Sequence, residues 1–205
     1  FKKNIGIAKH NGLYESDIRP VNKTLEKHYL GVEPPKLQTA FFDIEVDFDP
    51  ERGFSSPEDP FTPITAIGVY LQWMDAMICL AVPPKTLSWE QAQEVAKPLK
   101  EVMLFRTEGE MLDTFLTIID DADILSGWNS ETYDIPYIMN RITRVLGKSE
   151  TRRMCLLGKL PKERSFVQYG KETQSFDLVG RIHLDYLELY RKYNYEERHS
   201  YRSKR

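Results

Sequence analysis

Cysteine is nearly absent from this 205-residue chain: Cys79 and Cys155 stand alone in unrelated segments, without metal-like or redox-like spacing, so a disulfide framework has no support. Both read as buried thiols. Long apolar runs are missing too. No stretch of about 18 apolar residues occurs, and Phe1, Lys2, Lys3 and Asn4 lack the apolar core of a signal peptide, so the chain reads as cytosolic. Histidine is scarce, and His10, His28 and His183 have no Cys or His at ligand spacing, so they read as ordinary surface or core side chains. There is no internal repeat and no low-complexity tract. Basic charge is in slight deficit. A net charge of −3 argues against a uniformly basic duplex-binding surface, which needs many phosphate contacts. From Arg181 onward seven basic and four acidic residues give +3 and leave −6 for the first 180 residues. That split suits a metal-dependent nuclease touching a few nucleotides, and equally suits ordinary solvated charge.

What is present is enough for a folded body. With 41% hydrophobic and 12% aromatic residues, the chain supports one full core and a small accessory lobe. It starts with Phe and ends in Arg202, Ser203, Lys204, Arg205, so it reads as a piece of a longer protein. Residues 1–36 are mixed and closed off by Pro34-Pro35, the pattern of a small N-terminal lobe, and residues 37–205 form the main domain. Gln38 to Val46 is aromatic and β-branched apart from two acids, a buried strand with carboxylates near its end. A loop rich in Pro, Gly, Ser and acids runs from Asp47 to Pro63, and two strands, 64–73 and 76–82, join around Met74-Asp75 as an antiparallel meander. Helices are predicted over 89–99, 108–119 and 135–146, with Pro136 in the first turn of the last and Gly147 as its cap. Short strands fall at 102–105 and 123–128. Residues 166–169 and 174–182 flank Gly170-Lys171-Glu172 as a hairpin with a three- to four-residue loop, and Asp185 opens a final helix. The class is α/β, a mixed sheet flanked by helices.

Two segments carry chemistry. Asp43-Ile44-Glu45 places two carboxylates on one face of a strand, with Ile44 turned into the opposite core. Such a pair attracts a hard divalent cation, since buried like charges are costly unless neutralised; the same spacing also occurs at exposed or salt-bridged edges. Ser126 to Asp134 is a strand ending in polar residues, with Asp134 at a helix start, where α/β folds gather ligands and where a dipole-stabilised acid is also common. Tyr186, Tyr190, Tyr193 and Tyr195 lie at helical spacing, as a packing stripe or as surfaces for bases.

FFDIEV, followed about ninety residues later by SGWNSETYDIPYIMNR, resembles the first two exonuclease motifs of family B DNA polymerases of the T4-like phage type. Tyr14 to Ile18 resembles the family's lead-in to that domain, and YGKETQSFDLVGRIHLDYLELYRKY its hairpin and following helix. The resemblance implies a ribonuclease H-like fold with a protruding hairpin and a 3′-to-5′ proofreading exonuclease. It implies two Mg²⁺ or Mn²⁺ ions, with Asp43, Glu45 and Asp134 as metal ligands and catalytic carboxylates. Phe42, Asn129, Tyr133, Gly170 and Lys171 would face DNA. The implied partners are a single-stranded 3′ end or primer-template, the rest of the polymerase and, through the missing part, a sliding clamp; for a virus the compartment is the host cytoplasm. One departure stands out. The family's third motif, Tyr-x-x-x-Asp, is not found after Asp134; Tyr193 with Glu197 is the nearest imitation, and Lys204 stands where an Asp would have to accompany His199. Two outcomes therefore stay open, an active exonuclease and a folded but catalytically incomplete module that binds single strands.

Overall fold

The computed structural model describes residues 18–168 and 170–193. Tyr14 to Asp17, His10, Tyr195, Glu197 and His199 lie outside the described residues. The chain divides into two compact units, Phe1–Lys36 and Leu37–Arg205. Within the first, helix α1 spans Pro20–Tyr29, with proline at its start, where the missing N–H has no helical partner anyway. Sequence reading gave this segment no helix, because its apolar residues are few and its charges mixed.

In the second unit six strands form one sheet: β1 (Thr39–Val46), β2 (Ile64–Leu71), β3 (Ala76–Ala81), β4 (Val102–Leu104), β5 (Ile124–Gly127) and β8 (Ile182–Asp185), in the order β4-β3-β2-β1-β5-β8. The meander β1-β2-β3 is antiparallel, whereas β4, β5 and β8 run parallel to β3, β1 and β5. Helices α2 (Trp89–Ala96) and α3 (Glu108–Ile118) each open with a capping box, Ser88 with Gln91 and Thr107 with Glu110. Helix α4 (Asp134–Val145) ends at Gly147, whose φ of +103° and N–H to the Ile142 carbonyl make it the glycine cap anticipated from sequence. A 3₁₀ helix, Lys148–Met154, follows, and α5 (Tyr186–Tyr193) closes the described chain.

Pleating decides what is core. Ala40, Phe42 and Ile44 of β1 are buried and share a cluster with Ile67, Val69, Leu80, the Met111, Leu112, Phe115 and Leu116 stripe of α3, and Ile135, Ile138 and Ile142 of α4. Phe42 meets Phe115 at 6.2 Å between ring centres. Its ring is therefore a core side chain, a correction to its expected place against DNA; Phe41, one pleat over, is the exposed ring.

The hairpin consists of β6 (Lys162–Gln168) and β7 (Lys171–Asp177), which form their own two-stranded sheet. Gln168 pairs with Lys171, so the connection is shorter than expected, with Gly170 at φ +76°. The run read as one strand from 174 to 182 also divides: β7 stops at Asp177, Gly180 turns at φ +85°, and β8 begins anew and joins the main sheet. Cys155 is buried as expected and Cys79 is half-buried.

Arg181 fixes where β8 enters. Its buried guanidinium donates to the carbonyls of Ile119 (2.8 Å), Asp120 (3.0 Å), Ala122 (2.7 Å) and Met154 (3.2 Å), gathering the end of α3 and the end of the 3₁₀ helix. A cation is favoured at helix C-termini, and each of these carbonyls would otherwise be costly to bury. Arg181→Met should therefore lower unfolding free energy by about 3 kcal/mol, read from urea denaturation. A loss within about 0.5 kcal/mol, the size of an ordinary surface change, would show that the carbonyls find other donors.

Candidate active site

The centre of the site is a strand edge left bare by its neighbour. β5 pairs with β1 only from Thr39 to Phe41 and then ends at Gly127, so the next outward N–H groups of β1 need partners. Asp134, the first residue of α4 and itself buried, supplies one: its Oδ1 accepts the N–H of Ile44 at 3.3 Å. The acceptor is thus delivered between the two strand acids. Asp43 is half-buried and Glu45 exposed, both on the β1 face opposite the core, as the alternation predicts. Among the described residues, however, no three His, Cys, Asp or Glu side chains are grouped so as to hold a metal ion by themselves. Asp134 lies buried while Glu45 reaches into solvent.

The approach of α4 to β1 depends on Gly127. A Cβ there would lie 2.8 Å from the Phe42 carbonyl oxygen and 2.9 Å from the Ser130 Cβ, so any side chain would push the loop off the strand. Asn129 then adopts φ +58°, a conformation that Asn tolerates better than most residues. Its carbonyl accepts from Thr132 and Tyr133, and the Ser130 carbonyl accepts from Ile135, completing the first turn of α4. β8 holds this turn from the side. Asp185, buried, accepts N–H groups from Asn129 (3.0 Å), Glu131 (3.0 Å) and Leu187 (2.9 Å). Two residues earlier, His183 Nε2 meets the buried Ser130 hydroxyl at 2.8 Å. Asp185 is the cap of α5 that the sequence suggested, but its hold on the loop was invisible there, because the strand preceding it was merged with the hairpin. His183 is the satisfied histidine expected.

Around this centre the remaining residues fall into place. Tyr133 stacks on Tyr137 at 5.6 Å, and burial, then Tyr137, Asp134 and Glu45, push its phenol up to about 12. The Asn129 amide oxygen accepts from the Thr132 hydroxyl at 2.9 Å. Arg164 of β6 pairs with Glu131 and, at 2.8 Å, with Asp177, so the hairpin base is tied to the same loop. Between them lies a cleft of about 250 Å³ lined by Asn129, Glu131, Thr132, Arg164, Phe166 and Glu188. Gly170 sits at the tip of the hairpin. Of the tyrosine stripe, Tyr186 and Tyr190 pack on Trp128 at 6.0 and 5.8 Å, and Tyr193 is exposed.

A mixed sheet built from an antiparallel meander and parallel flanking strands, with acids on its central strand and a further carboxylate delivered by a helix, defines a ribonuclease H-like nuclease fold. The sequence profile of the DNA polymerase family B exonuclease domain matches residues 10–202. The chain is 32% identical over 185 residues to the DNA-directed DNA polymerase of Escherichia phage RB69, covering 81% of this chain and 20% of that protein. To the DNA-directed DNA polymerase of Enterobacteria phage T4 it is 37% identical over 94 residues, 44% of this chain and 10% of that protein. To the DNA polymerase delta catalytic subunit of Plasmodium falciparum it is 29% identical over 187 residues, 85% and 16% respectively. It therefore spans a fifth or less of the length of these relatives. The chain belongs to DNA polymerase family B and carries its exonuclease domain.

Burial lowers the His183 pKa from its ordinary 6.5, against the pull of Asp185 and Glu131 and with a small push from Arg164. The folded state thus binds this proton less readily than the unfolded chain, and the associated stability is complete above pH 6.5 and lost as pH falls below it. Urea midpoints measured at about pH 7.5 and about pH 5.5 should drop on acidification, and His183→Gln should show the smaller drop. Identical drops in both proteins would remove His183 as a contributor.

Proposed function

We propose that this chain is the proofreading 3′-to-5′ exonuclease region of a replicative DNA polymerase, cleaving phosphodiesters at single-stranded 3′ ends. The observation that supports it most is the Asp134 carboxylate seated on the Ile44 N–H, between Asp43 and Glu45. All three are hard oxygen donors, the chemistry that Mg²⁺ and Mn²⁺ select, and they are the residues that would hold such ions. Two such ions, when bound, supply a nucleophilic hydroxide and neutralise the charge of in-line displacement. The chain's own groups do the rest. Tyr133, protonated through neutral pH, is a donor for a phosphate or sugar oxygen beside two carboxylates that would repel it. Gly127 and Asp185 keep the loop of Asn129 and Tyr133 against β1. On this reading the DNA is a primer terminus, the other partners are the rest of the polymerase and a clamp bound through it, and the setting is the cytoplasm of the infected cell. No described helix is long and apolar enough to cross a membrane.

A second reading is favoured by one observation: within these 205 residues no Tyr-x-x-x-Asp follows Asp134. A site without that acid and phenol lacks ligands for the water-activating ion, and each 1.36 kcal/mol of lost barrier stabilisation is about tenfold in rate. The chain alone should therefore bind no more than one Mn²⁺ and degrade a 5′-labelled single-stranded oligonucleotide weakly or not at all. Asp43→Asn and Asp134→Asn should each abolish the Mn²⁺ signal in a calorimetric titration. Affinity unchanged in both variants would overturn the metal assignment. Rapid digestion abolished by Asp43→Ala would instead show that another residue, such as Glu197, completes the site.

The hairpin is proposed to part the primer strand from its template in the intact polymerase. Removing residues 169–173 there should slow excision of mismatched ends from primer-template and spare hydrolysis of single strands. Equal loss on both substrates argues that the hairpin serves the fold alone.

A further inference from the structure

We propose that Asp185 is a positioning residue for Asp134, acting through the turn that opens α4. This rests on the exonuclease reading above. The two carboxylates do different work. Asp134 ends on the β1 edge, whereas Asp185 lies buried at the end of β8, one strand beyond β5, with its oxygens committed to three backbone N–H groups.

Two of those N–H groups belong to Asn129 and Glu131, which bracket Ser130. The Glu131 N–H shares its peptide plane with the Ser130 carbonyl, and the Asn129 carbonyl lies between the two anchored amides; these carbonyls accept the N–H groups of Thr132, Tyr133 and Ile135. Those bonds form the first turn of α4, on which Asp134 stands, and they set the angle at which its Oδ1 meets the Ile44 N–H. Asn129 is held at φ +58° in the process, a conformation that an unrestrained loop leaves readily. Hydrogen bonds from backbone to a charged acceptor are about twice as strong as neutral ones, so Asp185 dominates the turn. His183, on the same face of β8, adds the Ser130 contact and keeps the middle of the turn from rotating. Outer groups that orient a metal ligand typically change affinity by about 10- to 100-fold when removed, although they never touch the ion.

The alternative is that Asp185 only caps α5 through Leu187. Asp185→Ser separates the two roles. Serine is a good N-cap, so the bond to Leu187 is kept, but its hydroxyl is too short to reach Asn129 and Glu131 as well. In the full 205-residue chain, Asp185→Ser should weaken Mn²⁺ binding by about tenfold or more while the chain stays folded, as checked by circular dichroism. It should also speed hydrogen exchange of the Ile44 amide by about tenfold, on a strand that Asp185 does not contact, as read by NMR. Asp185→Asn, which keeps the size but turns a donor toward one of the N–H groups, should give the same two changes and guards against a serine variant that fails to fold. Mn²⁺ affinity within about twofold of the parent, together with an equally protected Ile44 amide in either variant, would overturn the proposal and leave Asp185 as a cap. If the parent chain binds no Mn²⁺, the exonuclease reading of Asp43 and Asp134 fails on its own, and the Ile44 exchange rate alone then decides whether Asp185 positions Asp134.

Discussion

One hydrogen bond, from the Ile44 N–H to the Asp134 carboxylate, organises this domain. A strand edge inside a protein must satisfy its N–H groups, and β5 stops too soon to do so for the second half of β1. Had β5 continued, a backbone carbonyl would have met Ile44 and no acid would stand beside Asp43 and Glu45. The early stop at Gly127 and the return of the chain through a tight turn convert a backbone requirement into the delivery of a carboxylate. That carboxylate lies at the N-terminus of a helix, where the aligned peptide dipoles favour negative charge. The same residue thus completes a strand edge, opens a helix and faces the acidic strand.

Because the acid sits on α4, whatever holds α4 holds the site. The Tyr137 hydroxyl, on a fully buried ring, meets Ser55 and Thr62 and donates to the Thr62 carbonyl at 2.8 Å. Arg141 forks onto Glu108 at the start of α3 and onto the Pro60 carbonyl, and Glu108 also accepts the Ile64 N–H. The pair is nearly buried, with 8% and 10% of its side chains exposed, so its value lies in geometry more than in attraction: losing one partner would strand the other charge. The long loop between β1 and β2 is consequently stapled to α4 along its length, with Asn140 adding a bond to the Pro57 carbonyl. A polar, proline-rich segment that reads as slack is tied in by side chains from a helix some eighty residues away.

This explains what could be read in advance. The meander, α3 and α4 announce themselves through alternation and helical spacing, and the shared face of Asp43 and Glu45 follows from the pleat alone. Asp134 was legible as a helix-start acid, and the likeness to polymerase motifs is what proposes it as a ligand. Other features rest on partners distant in sequence. Phe42 was misplaced because the motif lends significance to a neighbouring ring, whereas parity puts Phe41 outward. β8 is four residues long, and Arg181, Asp185 and Gly127 matter through carbonyls, N–H groups and clearances that no local pattern displays.

Electrostatics gives Tyr133 its place. Burial adds most to the cost of ionising this phenol, and Tyr137, Asp134 and Glu45 beside it add the rest. The result, a pKa of about 12, means that the group keeps its proton through neutral pH. A neutral donor is what such a place needs. A lysine there would pair with the carboxylates and compete with a cation for them, and a third acid would need a further counter-charge. A tyrosine adds a hydrogen-bond donor without changing the charge of the centre. Stacking on Tyr137 fixes the ring plane, and because Tyr137 is itself anchored to the loop after β1, the donor is aimed by the same frame that carries the acids.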